Sequence, residues 1–223
     1  MKQKTLFISA AVGLLVVFVA GALFYSKQKE NQAIQKAEKN RVALMRAHSP
    51  TLGRADAPVV IVEFFDPACE TCKDFYPLVK GIMAANPDKI RIVLRYTPFH
   101  NGSDQVVAML EAARKQDKFW PALEATLASQ SGWVEHHTAQ PQLLWKYLDG
   151  LGLNIEQMKI DMQAPEIARV IAQDLNDART LNVTMTPEFF VNGKPLPKFG
   201  YEPLKALVDD ALTDSQPALA VQA

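Results

Sequence analysis

Pro58-Val59-Val60-Ile61-Val62-Glu63-Phe64-Phe65-Asp66-Pro67-Ala68-Cys69-Glu70-Thr71-Cys72 is the stretch on which the fold of this chain turns. Its first eight residues form a nearly unbroken apolar run, β-branched at the start, as expected of a strand buried on both faces. Asp66-Pro67-Ala68 breaks the run. Lys73 to Ala85 then reads as a helix with Phe75, Leu78, Val79 and Ile82 on one face, and Pro77 inside it is expected to kink it. Cys69 and Cys72 are the only cysteines among the 223 residues, and they stand where strand gives way to helix. With two residues between them, a helix start can hold both sulfurs within disulfide reach, and the positive end of the backbone dipole favours a thiolate there. A redox dithiol is the leading reading. Cys69, at the helix start, is then the exposed nucleophile, and Cys72, one turn further in, the buried resolving thiol. Glu63 is the odd member of the apolar run: a carboxylate in a buried strand is costly without a task or a partner, and its pKa should rise.

Further along, Ile90 to Tyr96 alternates and reads as a second strand. About 80 residues intervene before Val183, and they look helical throughout. Ser103 to Gln116, Phe119 to Ser129 and Gln140 to Leu148 are three such segments, the last stopped by Gly150. Asn154 can cap the next, with Gln157 three residues on, and Glu166 to Leu181 is the final one. Glu188 to Val191, turning at Asn192-Gly193 into Lys194 to Phe199, makes a closing hairpin. A terminal helix from about Glu202 to Leu212 follows.

Gly53-Arg54-Ala55-Asp56-Ala57 leading into the first strand, with Cys-x-x-Cys close behind, resembles the opening of the DsbA-like branch of the thioredoxin superfamily. Val183-Thr184-Met185-Thr186-Pro187-Glu188-Phe189-Phe190-Val191-Asn192-Gly193-Lys194 resembles that family's cis-proline loop, strand and hairpin turn, and the likeness spans roughly residues 51 to 212. It implies an α/β, thioredoxin-like fold with an inserted all-helical domain at about 101–181, within a domain of residues 51–213. It also implies a thiol–disulfide oxidoreductase with Cys69–Cys72 as the redox-active disulfide, acting on cysteine-containing proteins and served by a membrane or periplasmic redox partner. Thr186-Pro187 would be a cis bond lying against the dithiol, leaving the Thr186 backbone free to pair with an extended substrate. Glu63 matches the family's buried acid beneath the dithiol and is assigned as a proton relay for Cys72 through water. A strand-end carboxylate reaching solvent or pairing with a lysine is the alternative. The family usually carries proline directly after the first cysteine and often histidine or tyrosine next, whereas this chain has Glu70 and Thr71 as modulating residues. Glu70 places a negative charge beside the Cys69 thiolate, so a weaker oxidant is expected than relatives with histidine between their cysteines. Whether the chain donates, isomerises or reduces disulfides is left open.

Net charge is zero, but unevenly spread. Residues 27–48 carry six Lys/Arg against Glu30 and Glu38, Lys2 and Lys4 add two more positive charges, and residues 49–223 therefore carry a net −6. A mildly acidic domain gives no support to nucleic-acid binding. Leu6 to Tyr25 is a 20-residue stretch without a charge, long enough to span about 30 Å of bilayer core as a helix. Residues 1–26 thus read as a transmembrane anchor, with Ala20-Gly21-Ala22 offering the alternative of a cleaved signal. Either places the domain on the periplasmic side of a bacterial inner membrane, anchored or soluble, where disulfide chemistry is permitted. Residues 27–50 read as a polar helical stalk, with residues 27–48 a partial match to an oligomerisation seam, and 214–223 as a frayed tail. No cofactor is expected. Zinc wants four ligands, and there is no second cysteine pair. A purely structural disulfide would close only a tiny loop. His100 could face the dithiol or lie in solvent, and Trp120, Trp133 and Trp145 read as packing residues of the insert. The competing function class is a binding protein that holds a soft metal such as Cu(I) between the same two thiolates.

Overall fold

The computed structural model describes residues 40–215 and the isolated positions 21, 24, 25, 27, 28 and 35. The chain divides into two units, residues 1–42 and 43–223, and the architecture below is that of the second. The expected membrane segment at residues 6–25, most of the helix expected at 27–48, and the tail from residue 216 onward lie outside the described residues. Among the described residues no helix is long and apolar enough to cross a membrane.

Strand β1 (Thr51–Leu52) is followed by β2 (Val59–Phe65), helix α1 (Glu70–Ala85) and β3 (Ile90–Tyr96). The insert comprises α2 (Ser103–Arg114), α3 (Phe119–Ala128), a hairpin of β4 (Val134–Glu135) and β5 (Thr138–Ala139), α4 (Pro141–Leu148), α5 (Ile155–Asp161) and α6 (Pro165–Leu181). Strands β6 (Glu188–Val191) and β7 (Lys194–Pro195) and helix α7 (Tyr201–Asp214) close the chain. The main sheet runs β1-β3-β2-β6-β7, with β2 and β3 parallel and every other neighbour antiparallel. Because α1 returns the chain over the sheet between two parallel strands, β2 becomes the central strand, paired on both edges and covered on both faces. That is why Val59–Phe65 reads as an apolar run without alternation.

Alternation still decides which side chain meets which layer. Ile61 and Phe65 pack with Cys72, Phe75, Val79 and the insert, whereas Val62 and Phe64 pack with Leu44, Val93, Ala178, Val183 and Phe190. Glu63 lies between Ile61 and Phe65 in the two-residue period, so it points to the α1 side. On the opposite face a buried charge cluster fills what an apolar side chain would occupy. Arg95 of β3, fully buried, bonds Asp174 Oδ1 at 2.6 Å and Asp177 Oδ2 at 2.7 Å, and donates to the Ala43 carbonyl. Arg46 adds two bonds to Asp177, and His48 lies 2.6 Å from Asp174. Residues 43–50, expected to continue the stalk, therefore belong to the folded unit.

Other elements depart from expectation in detail. The stretch between β3 and β6 is not helical throughout, since β4 and β5 form a hairpin with His136 and His137 both left-handed at its turn (φ 48 and 59). No Asn-Gly or Asp-Gly pair marks that turn in the sequence. Strand β7 stops at Pro195, short of the expected Phe199, because Pro195 and Pro197 offer no N–H to a ladder. The Asn154 cap forms as expected, its side chain accepting from the Gln157 N–H at 3.0 Å.

Candidate active site

The turn from β2 into α1 is built around Asp66. Its carboxylate is fully buried and accepts from the Ala68 N–H at 2.9 Å, the Phe99 N–H at 2.7 Å and the His100 N–H at 2.9 Å. The Ser103 hydroxyl donates to it as well, and His100 Nδ1 lies 2.7 Å away. One carboxylate thus ties the end of β2, the loop after β3 and the start of α2 into a single knot beneath the helix start. Gln130 of the insert completes the hold: its side-chain amide donates to the Pro67 carbonyl at 2.9 Å and to the Cys69 carbonyl at 3.0 Å.

Cys69 is the N-cap of α1, with extended backbone (φ −77, ψ 120), and Cys72 is its third residue. Both are free thiols. Cys69, expected to be exposed, is itself buried with 6% of its surface open, because the Thr186-Pro187 loop closes over it, and Cys72 is wholly enclosed as expected. The two thiols are driven apart in acidity. A hydrogen bond from the Cys72 thiol is the main reason Cys69 falls to about 6; burial opposes this, and the Thr186 side chain and the N–H groups of Cys72 and Thr71 assist. Burial pushes the Cys72 thiol well above its ordinary range, and its bond to Cys69 and the nearby Glu63 push the same way. Across from the dithiol, the Thr186-Pro187 peptide bond is cis, and Cys69 Sγ lies 3.2 Å from the Thr186 carbonyl oxygen.

Glu63 is 2% exposed, and its Oε1 has no hydrogen-bond partner. Burial, with a smaller contribution from Cys69, lifts its carboxyl to about 8. The alternative of a strand-end carboxylate reaching solvent or meeting a lysine is thereby overturned: β6 and β3 flank Glu63 on both sides, at Phe189 and Leu94, so it sits in mid-sheet. His100 is not a free solvent histidine either. It bonds Asp66, and its ring stacks on His137 at a centroid distance of 5.9 Å. Trp133 is buried in the core, and Trp120 and Trp145 pack against it, as expected.

The family model described as Thioredoxin matches residues 46–210, most of the chain. The chain belongs to the thioredoxin family. It is 27% identical over 217 residues to the probable disulfide bond formation protein D of Bacillus anthracis, covering 94% of this chain and 97% of that one. A thioredoxin-like oxidoreductase from Silicibacter pomeroyi DSS-3 superposes with a TM-score of 0.67 at 31% identity, covering 78% of this chain and 98% of that one. A Na(+)/H(+) antiporter NhaA of Herminiimonas arsenicoxydans is 30% identical over 144 residues, or 65% of this chain, but the match spans only 22% of the antiporter's length. None of these names speaks for the soft-metal alternative. The DsbA-like resemblance and the inserted-helix architecture stand as expected, with the β4–β5 hairpin added. The structure brings together Cys69, Cys72, Glu63, Thr186 and Pro187 around one helix start, with Glu70 and Thr71 on its first turn. Sequence reading missed Asp66 and Gln130. Asp66 before Pro67 is a turn signal that could have been weighed, since its side chain bonds two residues on. Gln130 carried no signal, because only the insert's folding brings it to the motif.

Proposed function

We propose that this protein is a thiol–disulfide oxidoreductase that exchanges disulfides with cysteine-containing proteins through Cys69 and Cys72. The observation that carries this reading is the asymmetry of the pair: an acidic sulfur at the helix start beside an enclosed, poorly ionised one. In the oxidising direction a substrate thiolate attacks the Cys69 sulfur of the Cys69–Cys72 disulfide. The bond between the two protein sulfurs breaks, Cys72 leaves with the electron pair and takes a proton, and a mixed disulfide joins Cys69 to the substrate. A second substrate thiolate attacks the substrate sulfur of that bond, and Cys69 leaves as a thiolate, readily so because its pKa is low. The substrate has gained a disulfide, and the protein dithiol holds the two electrons. Reduction runs the same steps backwards. Glu63, protonated near neutrality, supplies the Cys72 proton and receives it on the return. Thr186 and Pro187 offer the backbone against which an extended substrate pairs.

The relative named for disulfide bond formation supports an envelope location. Residues 6–25 serve as an inner-membrane anchor that leaves the domain on the periplasmic side, or as a signal whose removal frees it. Residues 27–42 act as a stalk that can pair with a second copy, and a membrane or periplasmic partner resets the dithiol.

The test is an exchange assay on the reduced and oxidised protein with alkylation in parallel. Cys69 should alkylate with a midpoint at about 6 while Cys72 stays unreactive. The Cys72→Ala variant should accumulate mixed disulfides through Cys69, and Cys69→Ala should form none. Ordinary alkylation of both thiols, with no exchange, rejects the reading.

A further inference from the structure

The acidic residue inside the redox motif has a partner in the insert. His137 Nδ1 lies 3.5 Å from Glu70 Oε2, and Glu70 is the first residue of α1, directly after Cys69. His137 is held there by geometry on three sides. It occupies the left-handed turn of the β4–β5 hairpin at φ 59. The hairpin is fastened to the loop after β3, where Ala139 N–H donates to the Asn101 carbonyl at 2.9 Å. The approach is so close that a Cβ on Gly102 (φ 78) would sit 2.8 Å from the Ala139 carbonyl oxygen. The His137 ring also lies on the His100 ring, 29° from parallel, and His100 in turn is tied to the buried Asp66. A continuous line of contacts therefore runs from the knot under the dithiol, through two stacked histidines, to the carboxylate beside Cys69.

We propose that His137 is a positioning residue that sets the oxidising strength of the dithiol by neutralising Glu70; this deepens the oxidoreductase reading and rests on it. Glu70 alone disfavours the neighbouring Cys69 thiolate. A positive charge on His137 cancels that effect, stabilises the reduced dithiol and makes the disulfide a stronger oxidant. The other charged groups around the pair are already engaged: Lys73 with Asp74 at 3.4 Å, His136 with Glu135 at 3.8 Å, and His100 with Asp66. A charged His100 would repel His137 across the stack, and Asp66 beneath it offsets that. The Glu70–His137 pair is largely open to solvent, with 74% of the His137 side chain and 52% of that of Glu70 exposed, which limits the effect to about twofold.

The experiment equilibrates the full chain with a thiol–disulfide redox buffer at about pH 6.5, above the Cys69 midpoint of about 6, for the unaltered protein and for His137→Asn, His137→Lys, Glu70→Gln and Glu70→Gln/His137→Asn. Asparagine is chosen because it tolerates the left-handed backbone at position 137. His137→Asn should weaken the oxidant about twofold, or about 9 mV at roughly 30 mV per tenfold change. His137→Lys should be at least as strong an oxidant as the unaltered protein, and in the Glu70→Gln background His137→Asn should have no effect. Equal strength of His137→Asn and the unaltered protein, or an undiminished effect without Glu70, overturns the role of His137 and leaves the oxidoreductase intact. If the unaltered protein forms no reversible Cys69–Cys72 disulfide, both readings fail together.

Discussion

Glu63 stays protonated in the folded chain at a pH where Cys69 is already ionised, because burial lifts the one to about 8 while the Cys72 hydrogen bond lowers the other to about 6. This ordering gives a relay its direction, since the acid holds a proton when Cys72 needs one. It also carries a stability consequence. A carboxyl whose folded pKa lies above its unfolded value of 4.5 binds its proton more tightly in the fold. Its contribution is complete below about 4.5 and is lost as pH rises through about 8. Replacing Glu63→Gln removes the titration and keeps the shape. The reduced variant should therefore be more stable than the unaltered protein by about 3–5 kcal/mol at pH 9, with the gain gone at pH 4. Denaturant midpoints at the two pH values measure this, and an equal gain at both would assign the effect to packing. The same variant should slow the step in which Cys72 exchanges its proton by about 10²-fold, read by stopped-flow resolution of a mixed disulfide. The oddity of Glu63 was legible in the sequence as one carboxylate in an apolar run, and so was the dithiol. Asp66 was legible only as a turn residue; its five donors come from segments more than thirty positions away as well as from its own turn.

Helix α1 does its work at its first turn, and that turn is held from outside. The Pro67 and Cys69 carbonyls are buried acceptors, and one side-chain amide, that of Gln130, serves both. Gln130→Ala leaves both carbonyls without that donor and should cost about 1–3 kcal/mol of stability. It should also loosen Cys69 enough to change its alkylation profile. A stability loss with an unaltered profile would mean that Asp66 alone holds the helix start. Elements of strong period were readable: β2, β3, α2, α3, α6 and α7 lie within a few residues of where their patterns place them. The β4–β5 hairpin was not, because two histidines take the left-handed turn that glycine or asparagine would announce. His137 reaches Glu70 only through this unannounced turn.

At the scale of the molecule, one cluster joins three distant parts of the chain. Arg95 from the sheet and Asp174 and Asp177 from α6 meet in the interior on the face away from the dithiol, and the half-buried Arg46 and His48 from the segment preceding β1 close over them. Burial works against ionised Asp177, yet bonds from Arg46 and Arg95 hold its carboxyl below the ordinary range. Stability from that group is present above the ordinary carboxylate range and lost as pH falls through it. Arg95→Met leaves two buried carboxylates short of their guanidinium and should cost about 3–5 kcal/mol at pH 7, measured by urea unfolding. Replacing Arg95, Asp174 and Asp177 together by apolar residues of similar volume should recover most of that loss. If the single variant unfolds like the unaltered protein, the cluster is not what binds residues 43–50 to the domain. Period-two alternation put Arg95 on the face of Val93, and only the arrival of α6 over that face made it interior. Local pattern was enough to determine the strand–dithiol–helix order, the insert's helices and the anomalous acid, since each rests on neighbours within a few positions. Tertiary folding alone decided which further groups surround those parts: Asp66 at the helix start, Gln130 on the motif's carbonyls, His137 on Glu70 and α6 on Arg95. These partners are far apart in the chain, and electrostatic and hydrogen-bond energies depend on distance in space.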